Sequence, residues 1–137
     1  MDPEADGNKP FMSAGDAHSQ AMSLPIADIV RLLLDLLDPT TIAVIAGVQE
    51  TRAVNSWLAG REPQRPQVLR FALQLAAMIA NAGDREYCKA WFHGSNPHLD
   101  DRVPMIMLRD QPLAEIQRGL VVAARVFANR ARGAAGD

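Results

Sequence analysis

Between residues 24 and 37, polar side chains fall only at Asp28, Arg31 and Asp35, three and four positions apart, and almost every other position is apolar. That spacing draws one thin wet stripe along a helix. The apolar surface around it is wider than a single neighbouring helix covers, so the pattern also predicts a dimer interface. Asp38-Pro39 ends the helix, because proline disfavours helical backbone in the residue before it. The same pair suits the cap and first position of a second helix.

A short apolar segment over 40–46 follows, then Gly47-Val48, then a run over 49–59 closed by Gly60. Ala43 is small enough for two helices to cross closely, Gly47 suits a left-handed turn, and Val54 with Trp57 or Leu58 faces back into the core. This is the pattern of a helix-turn-helix. Its second helix turns Gln49, Thr51, Arg52 and Asn55 outward, and Arg61 follows in the next loop; these groups can hydrogen-bond base edges or phosphates, and the alternative from the same pattern is a solvated helical hairpin. Across residues 50–70, Arg52, Arg61, Arg65 and Arg70 stand against Glu50 and Glu62, which makes the local balance positive.

Beyond the proline-marked loop 61–66, residues 67–82 carry a polar stripe at Gln67, Arg70, Gln74 and Asn81, with Gly83 as the stop and Asp84 as the next cap. Residues 84–92 place Tyr87 and Trp91 on one helix face, and Gly94 ends it. A loop over 95–103 holds Asn96-Pro97 and Asp100-Asp101-Arg102 before Pro104 opens a short helix. From Pro112, the steps Leu113, Ile116, Leu120, Ala124 and Phe127 mark a last amphipathic helix. No strand pattern appears. The expected fold is all-α, with a helix-turn-helix unit at 24–83 and a smaller helical unit at 84–128. A disordered tail is expected at 1–23, where no period is visible, and a flexible one at 129–137.

The chain has 137 residues, 48% of them hydrophobic, enough for one compact domain or for two small helical units sharing a core. Cys88 is its single cysteine, so no intramolecular disulfide forms. No basic-then-apolar leader and no run of about 20 apolar residues is present, which points to a cytoplasmic protein with no membrane partner. A net formal charge of −2 argues against coating nucleic acid nonspecifically and leaves room for a local reading head.

Candidate chemistry is sparse. Cys88, His93, His98, Asp100 and Asp101 lie within fourteen positions, but without the tight intervals that bring three or four ligands onto one metal. Cys88 falls in an apolar helix, the setting of an inert thiol. Asp100-Asp101 reads as a cap for the helix at Pro104 and a partner for Arg102, since adjacent side chains point apart. Glycine-rich phosphate loops are absent, so neither enzyme, cofactor nor metal site is expected.

Taken together, IAGVQETRAVNSWLAGREPQRP, QVLRFALQLAAMI and AWFHGSNPHLDDRVPMIMLRD resemble the Xre/MbcA/ParS-type antitoxins of bacterial toxin–antitoxin pairs over about residues 24–128. The most specific part is the order Trp91, Asn96-Pro97 with Leu99, Pro104 and Leu108 ahead of a closing helix. The resemblance implies a homodimeric antitoxin that occludes an NAD-consuming toxin of the RES-domain class and represses its operon by binding operator DNA. It places Trp91, Asn96, Pro97, Leu99 and Pro104 in the toxin-binding motif, and Gln49, Thr51, Arg52 and Asn55 on the recognition helix. Arg102 joins the first set as an exposed polar member of the same loop, and Arg61 the second as an adjacent cation. In physical terms Asn96 closes an Asx-type turn, Pro97 and Pro104 stiffen the loop, and Trp91 is its apolar floor. The alternative from the same sequence is a stand-alone DNA-binding transcription regulator without a toxin partner.

Overall fold

The computed structural model describes residues 19, 21–83 and 85–136. Among these the chain is all-α: α1 (Ile26–Leu36), α2 (Pro39–Ala46), α3 (Arg52–Leu58), α4 (Pro66–Ala82), α5 (Glu86–His93), a 3-10 turn (Pro97–Leu99), α6 (Pro104–Asp110) and α7 (Leu113–Gly136). Proline stands at the first turn of α2, α4 and α6, where its missing N–H costs nothing. α2 stops at Gly47, whose φ of +80° is the left-handed conformation expected of it. The turn is closed by the Gly47 amide on the Val44 carbonyl and the Val48 amide on the Ala43 carbonyl, both 3.0 Å.

α4 is the centre of the molecule. Leu69, Ala72, Leu73, Leu75, Ala76, Ala77 and Ile79 have no solvent exposure, because α1, α2 and α7 pack around this helix. One hydrophobic cluster runs from Ile26 to Ala124, so the two expected units share a single core. Full burial of each Leu or Ile stabilises by about 1.5–3 kcal/mol. The wide apolar face of α1 is covered within the chain: Ile29, Val30 and Leu33 are fully buried, with α4, α3, α2 and α5 as neighbours. Leu32 and Leu34 of the same helix are only partly buried.

Only parts of the two expected tails fall on described residues. Residues 1–18 and 20 lie outside the described residues, but 21–23 are helical and Ala21 is buried. The reason is Arg70, whose guanidinium leaves the polar stripe of α4 to donate to the carbonyls of Ala21 (3.1 Å) and Leu24 (2.5 Å). At the other end α7 continues to Gly136, where alanine and arginine favour helix. Asp84, expected as a cap, lies outside the described residues. Gly83 does end α4, with an extended backbone; a Cβ there would lie 2.9 Å from the Tyr87 ring, which packs over it.

Candidate functional site

The best-formed local structure lies beyond α5. That helix turns Cys88, Trp91 and Phe92 inward, with the Trp91 and Phe92 rings edge to face at 5.0 Å. After Gly94 the chain closes a ring over residues 96–102. The Asn96 carbonyl accepts from the amides of Leu99 (2.9 Å) and Asp101 (2.8 Å), and the Asn96 amide donates to the Arg102 carbonyl (3.0 Å). Asn96 Oδ1 accepts from the His98 amide at 2.9 Å, the Asx-type turn expected from the sequence. Arg102 folds back, donating from its amide (3.1 Å) and its Nε (3.0 Å) to the Leu99 carbonyl. Asp100 and Asp101 both take left-handed φ, +57° and +64°, a conformation that aspartate tolerates better than most residues. They do not cap α6. The residue at its cap is Val103, because two left-handed residues reverse the chain before Arg102 and leave the carboxylates short of the helix; Arg102 does stand near Asp100, at 3.9 Å.

Leu99 pins this ring to α7, and a Cβ on Gly119 would come within 3.9 Å of it. Between the ring, the end of α5 and α7 lies a cavity of about 240 Å³, lined among others by Trp91, Asn96, His98, Val126, Phe127 and Arg130. Trp91 is buried, and its Nε1–H has no acceptor among the described residues. An unmet buried donor costs about 1–3 kcal/mol. Of the six expected toxin-contacting residues, Pro97 and Arg102 are exposed and Asn96 is half-buried; Trp91, Leu99 and Pro104 are buried and hold the ring and α6 from inside. Val126, Phe127 and Arg130 were not singled out as contact residues, although steps of three and four along α7 place them on one flank.

The helix-turn-helix segment departs more from expectation. The second helix, expected over 49–59, is the seven-residue α3, which begins at Arg52. Gln49 and Thr51 precede it. Residues 49–51 lead into it without helical structure, with the Ala53 amide on the Glu50 carbonyl and the Val54 amide on the Thr51 carbonyl at the entry, while the Arg52 guanidinium pairs with the Glu50 carboxylate. Gln49, Thr51, Arg52, Asn55 and Arg61 are all exposed.

The expected local excess of positive charge does not reach this surface. Arg65 donates to the carbonyls of Leu108 (2.8 Å) and Arg109 (3.0 Å), capping the C-terminus of α6, and Arg70 is held by Ala21 and Leu24. What remains beside α3 is Arg52 and Arg61 with Glu50 and Glu62, all lining one open groove of mixed charge.

A third polar group ties the two ends of the sequence. Thr41 is the buried polar side chain of the core. Its hydroxyl donates to the Asp38 carboxylate, and His93 Nε2 lies 2.7 Å from the same oxygen. With the hydroxyl proton directed to Asp38, the imidazole nitrogen is the donor in that second bond. Partial burial alone pushes the Asp38 carboxyl up, but the Thr41 hydrogen bond and the Lys89 charge outweigh it and hold the carboxyl below its usual range. The hydroxyl is inaccessible and faces a carboxylate, so this is a structural tie and no nucleophile.

Cys88 is buried, its Sγ 3.2 Å from the Ala76 carbonyl. Among the described residues no three His, Cys, Asp or Glu side chains group as a metal site, and no helix is long and apolar enough to cross a membrane. Comparison of the chain with protein-family models, curated proteins and solved structures found no match.

Proposed function

We propose that this chain is the antitoxin of a type II toxin–antitoxin pair, binding and occluding an NAD-consuming toxin of the RES-domain class. The observation that carries the reading is the closed ring over 96–102 beside the Trp91 cavity. Its backbone bonds are already made, so a partner that grips it spends little binding energy on ordering it. Pro97 and Arg102 offer an exposed rim, and the cavity offers an apolar seat with one unmet donor. The resemblance in the order Trp91, Asn96-Pro97, Leu99, Pro104 supplies the identity of the partner.

The second half of the proposal is repression of its own operon through the α2–α3 corner, by a homodimer that reads two half-sites. Support here is the exposure of Gln49, Thr51, Arg52, Asn55 and Arg61 on one stretch of surface. Most of the apolar face of α1 is buried within the chain, and Leu32 and Leu34 are the part of it left partly exposed for a dimer contact.

The test is recovery of the tagged chain from its native cells with mass spectrometry of what accompanies it. A stoichiometric NAD-consuming partner is the expected result; the chain alone with DNA would replace the antitoxin reading by that of a free-standing regulator. Arg52→Ala with Asn55→Ala should weaken operator binding and leave toxin neutralisation intact, and loss of both together would mean that these residues serve folding.

A further inference from the structure

The cations of this chain are unevenly committed. Arg31 pairs with Asp28, Arg52 with Glu50, and Arg109 with Asp110; Arg65, Arg70 and Arg85 donate to main-chain carbonyls, and Arg102 to the Leu99 carbonyl. α7 is different. Arg118, Arg125 and Arg132 stand on it at intervals of seven, all exposed, and none is ion-paired among the described residues. Arg132 only touches its neighbour Asn129. At 1.5 Å per residue the step between them is about 10.5 Å, and each step drifts only about 20° round the helix, so the three form one row. Glu115 is the single acidic residue of the helix.

From this distribution we infer that the phosphate-contacting surface of the protein is the outer face of α7, with duplex DNA as its ligand. The inference builds on the DNA-binding half of the proposed function and moves its electrostatic contact away from the α2–α3 corner. Duplex DNA carries one charge per about 1.7 Å of axis, and its major groove is about 12 Å wide. Arginines about 10.5 Å apart, on long side chains, reach phosphates on both sides of that groove. A membrane surface fits less well. Interfacial helices set a broad apolar face beside their cations, whereas α7 turns Ile116, Leu120, Ala123 and Ala124 into the core and leaves Val122 as the one large exposed apolar side chain of the row.

The experiment is fluorescence anisotropy of the full chain with a random-sequence duplex of about 24 base pairs, titrated from 50 to 200 mM salt. Three phosphate contacts give a slope of about −2.7 in log affinity against log salt, a loss of about 40-fold over that range. Arg118→Gln/Arg125→Gln/Arg132→Gln should lower affinity at least tenfold at 50 mM salt and flatten the slope, with unchanged helical circular dichroism; the matching triple lysine variant should keep most of the binding. If the triple glutamine variant binds like the wild type while Arg52→Ala/Arg61→Ala abolishes binding, the α7 inference is overturned and operator reading at the corner stands. No binding by the wild type at 50 mM salt overturns both. Displacement of DNA by polyglutamate at matched charge concentration would show a surface for acidic protein, and would also overturn the inference.

Discussion

Arg65 gives the sharpest test of how charge is used in this fold. By sequence it belongs to a cationic cluster around the α2–α3 corner; in space its guanidinium caps α6, donating to Leu108 and Arg109 at 2.8 and 3.0 Å. The last carbonyls of a helix have no partner within it, and a cation there also meets the negative end of the helix dipole. One of the two bonds is part-buried and the other exposed. A hydrogen bond to a charged group contributes about 1.5–3 kcal/mol where shielded and an exposed one about 0.5–1, so Arg65→Ala should destabilise the protein by roughly 2–4 kcal/mol. At this chain length that lowers the melting temperature by roughly 7–14 °C.

Urea denaturation followed by circular dichroism reads the change as a shifted midpoint at constant slope. Lysine should recover less than half of the loss, because its ammonium does not present the planar fork that spans two adjacent carbonyls. DNA affinity and its salt slope should stay at wild-type values, since Arg65 is only partly exposed and both its terminal nitrogens are held by carbonyls, whereas Arg118 and Arg125 are exposed. Arg65→Ala with stability within 0.5 kcal/mol of wild type and weakened DNA binding would refute this assignment.

Other perturbations follow from the same geometry. Gly47→Ala should cost about 1–2 kcal/mol in denaturation, through its left-handed backbone alone, since the added Cβ meets Arg65 only at an ordinary 3.6 Å. Asn96→Ala with Arg102→Ala removes the side-chain bonds that close the ring, and should impair toxin neutralisation in a growth-rescue assay while circular dichroism stays helical; full rescue would sink the role of the ring. Thr41→Val should destabilise by about 1–3 kcal/mol, because it leaves Asp38 and His93 without their shared hydroxyl. The pH dependence has a definite sign. A carboxyl lowered on folding stabilises above its unfolded value of about 3.9 and loses that contribution as pH falls through the lower folded value, so the acid limb of stability below about pH 4 should be shallower in Thr41→Val.

Periodicity carried the fold because burial here follows the helix repeat. The thin polar stripe of α1 and the buried run of α4 were both readable, and so were the stops at Gly47 and Gly94 and the start at Pro104. The Asx turn at Asn96 was readable too, because it closes within two residues. What failed was long-range. Arg65 and Arg70 find their carbonyls 43 to 49 residues away, and His93 meets Thr41 across 52, distances at which no local pattern carries information. The start of α3 was misplaced for a local reason: Gln49, Glu50 and Thr51 are polar residues that continue a helix or a turn equally well, and the Glu50–Arg52 pair and turn bonds settle it as turn. In the cavity, the helix repeat located Phe127 on the inner face of α7, but only the packing of ring against helix brings it together with Trp91 and Arg130.

The placement of these surfaces on one helix leads to a last expectation, resting on both proposals. Arg130, Val126 and Phe127 line the cavity on one flank of α7, and the row Arg118, Arg125, Arg132 runs along a flank about 150° round the same helix, almost opposite. A helix with its side chains is only about 10–12 Å across, whereas a bound enzyme domain is far wider. A toxin seated at the ring and cavity therefore leaves the arginine row uncovered, but across one helix its surface charge still acts on the row over one Debye length of about 8–10 Å. Because the core from Ile26 to Ala124 is continuous, α7 has no hinge by which to swing the row clear. An acidic toxin surface at this position should weaken DNA binding by the complex, and a basic one should strengthen it. Anisotropy of the labelled duplex with the chain alone and with purified complex distinguishes these cases, and equal affinity with an equal salt slope would show that the two surfaces are independent and that the toxin docks away from α7.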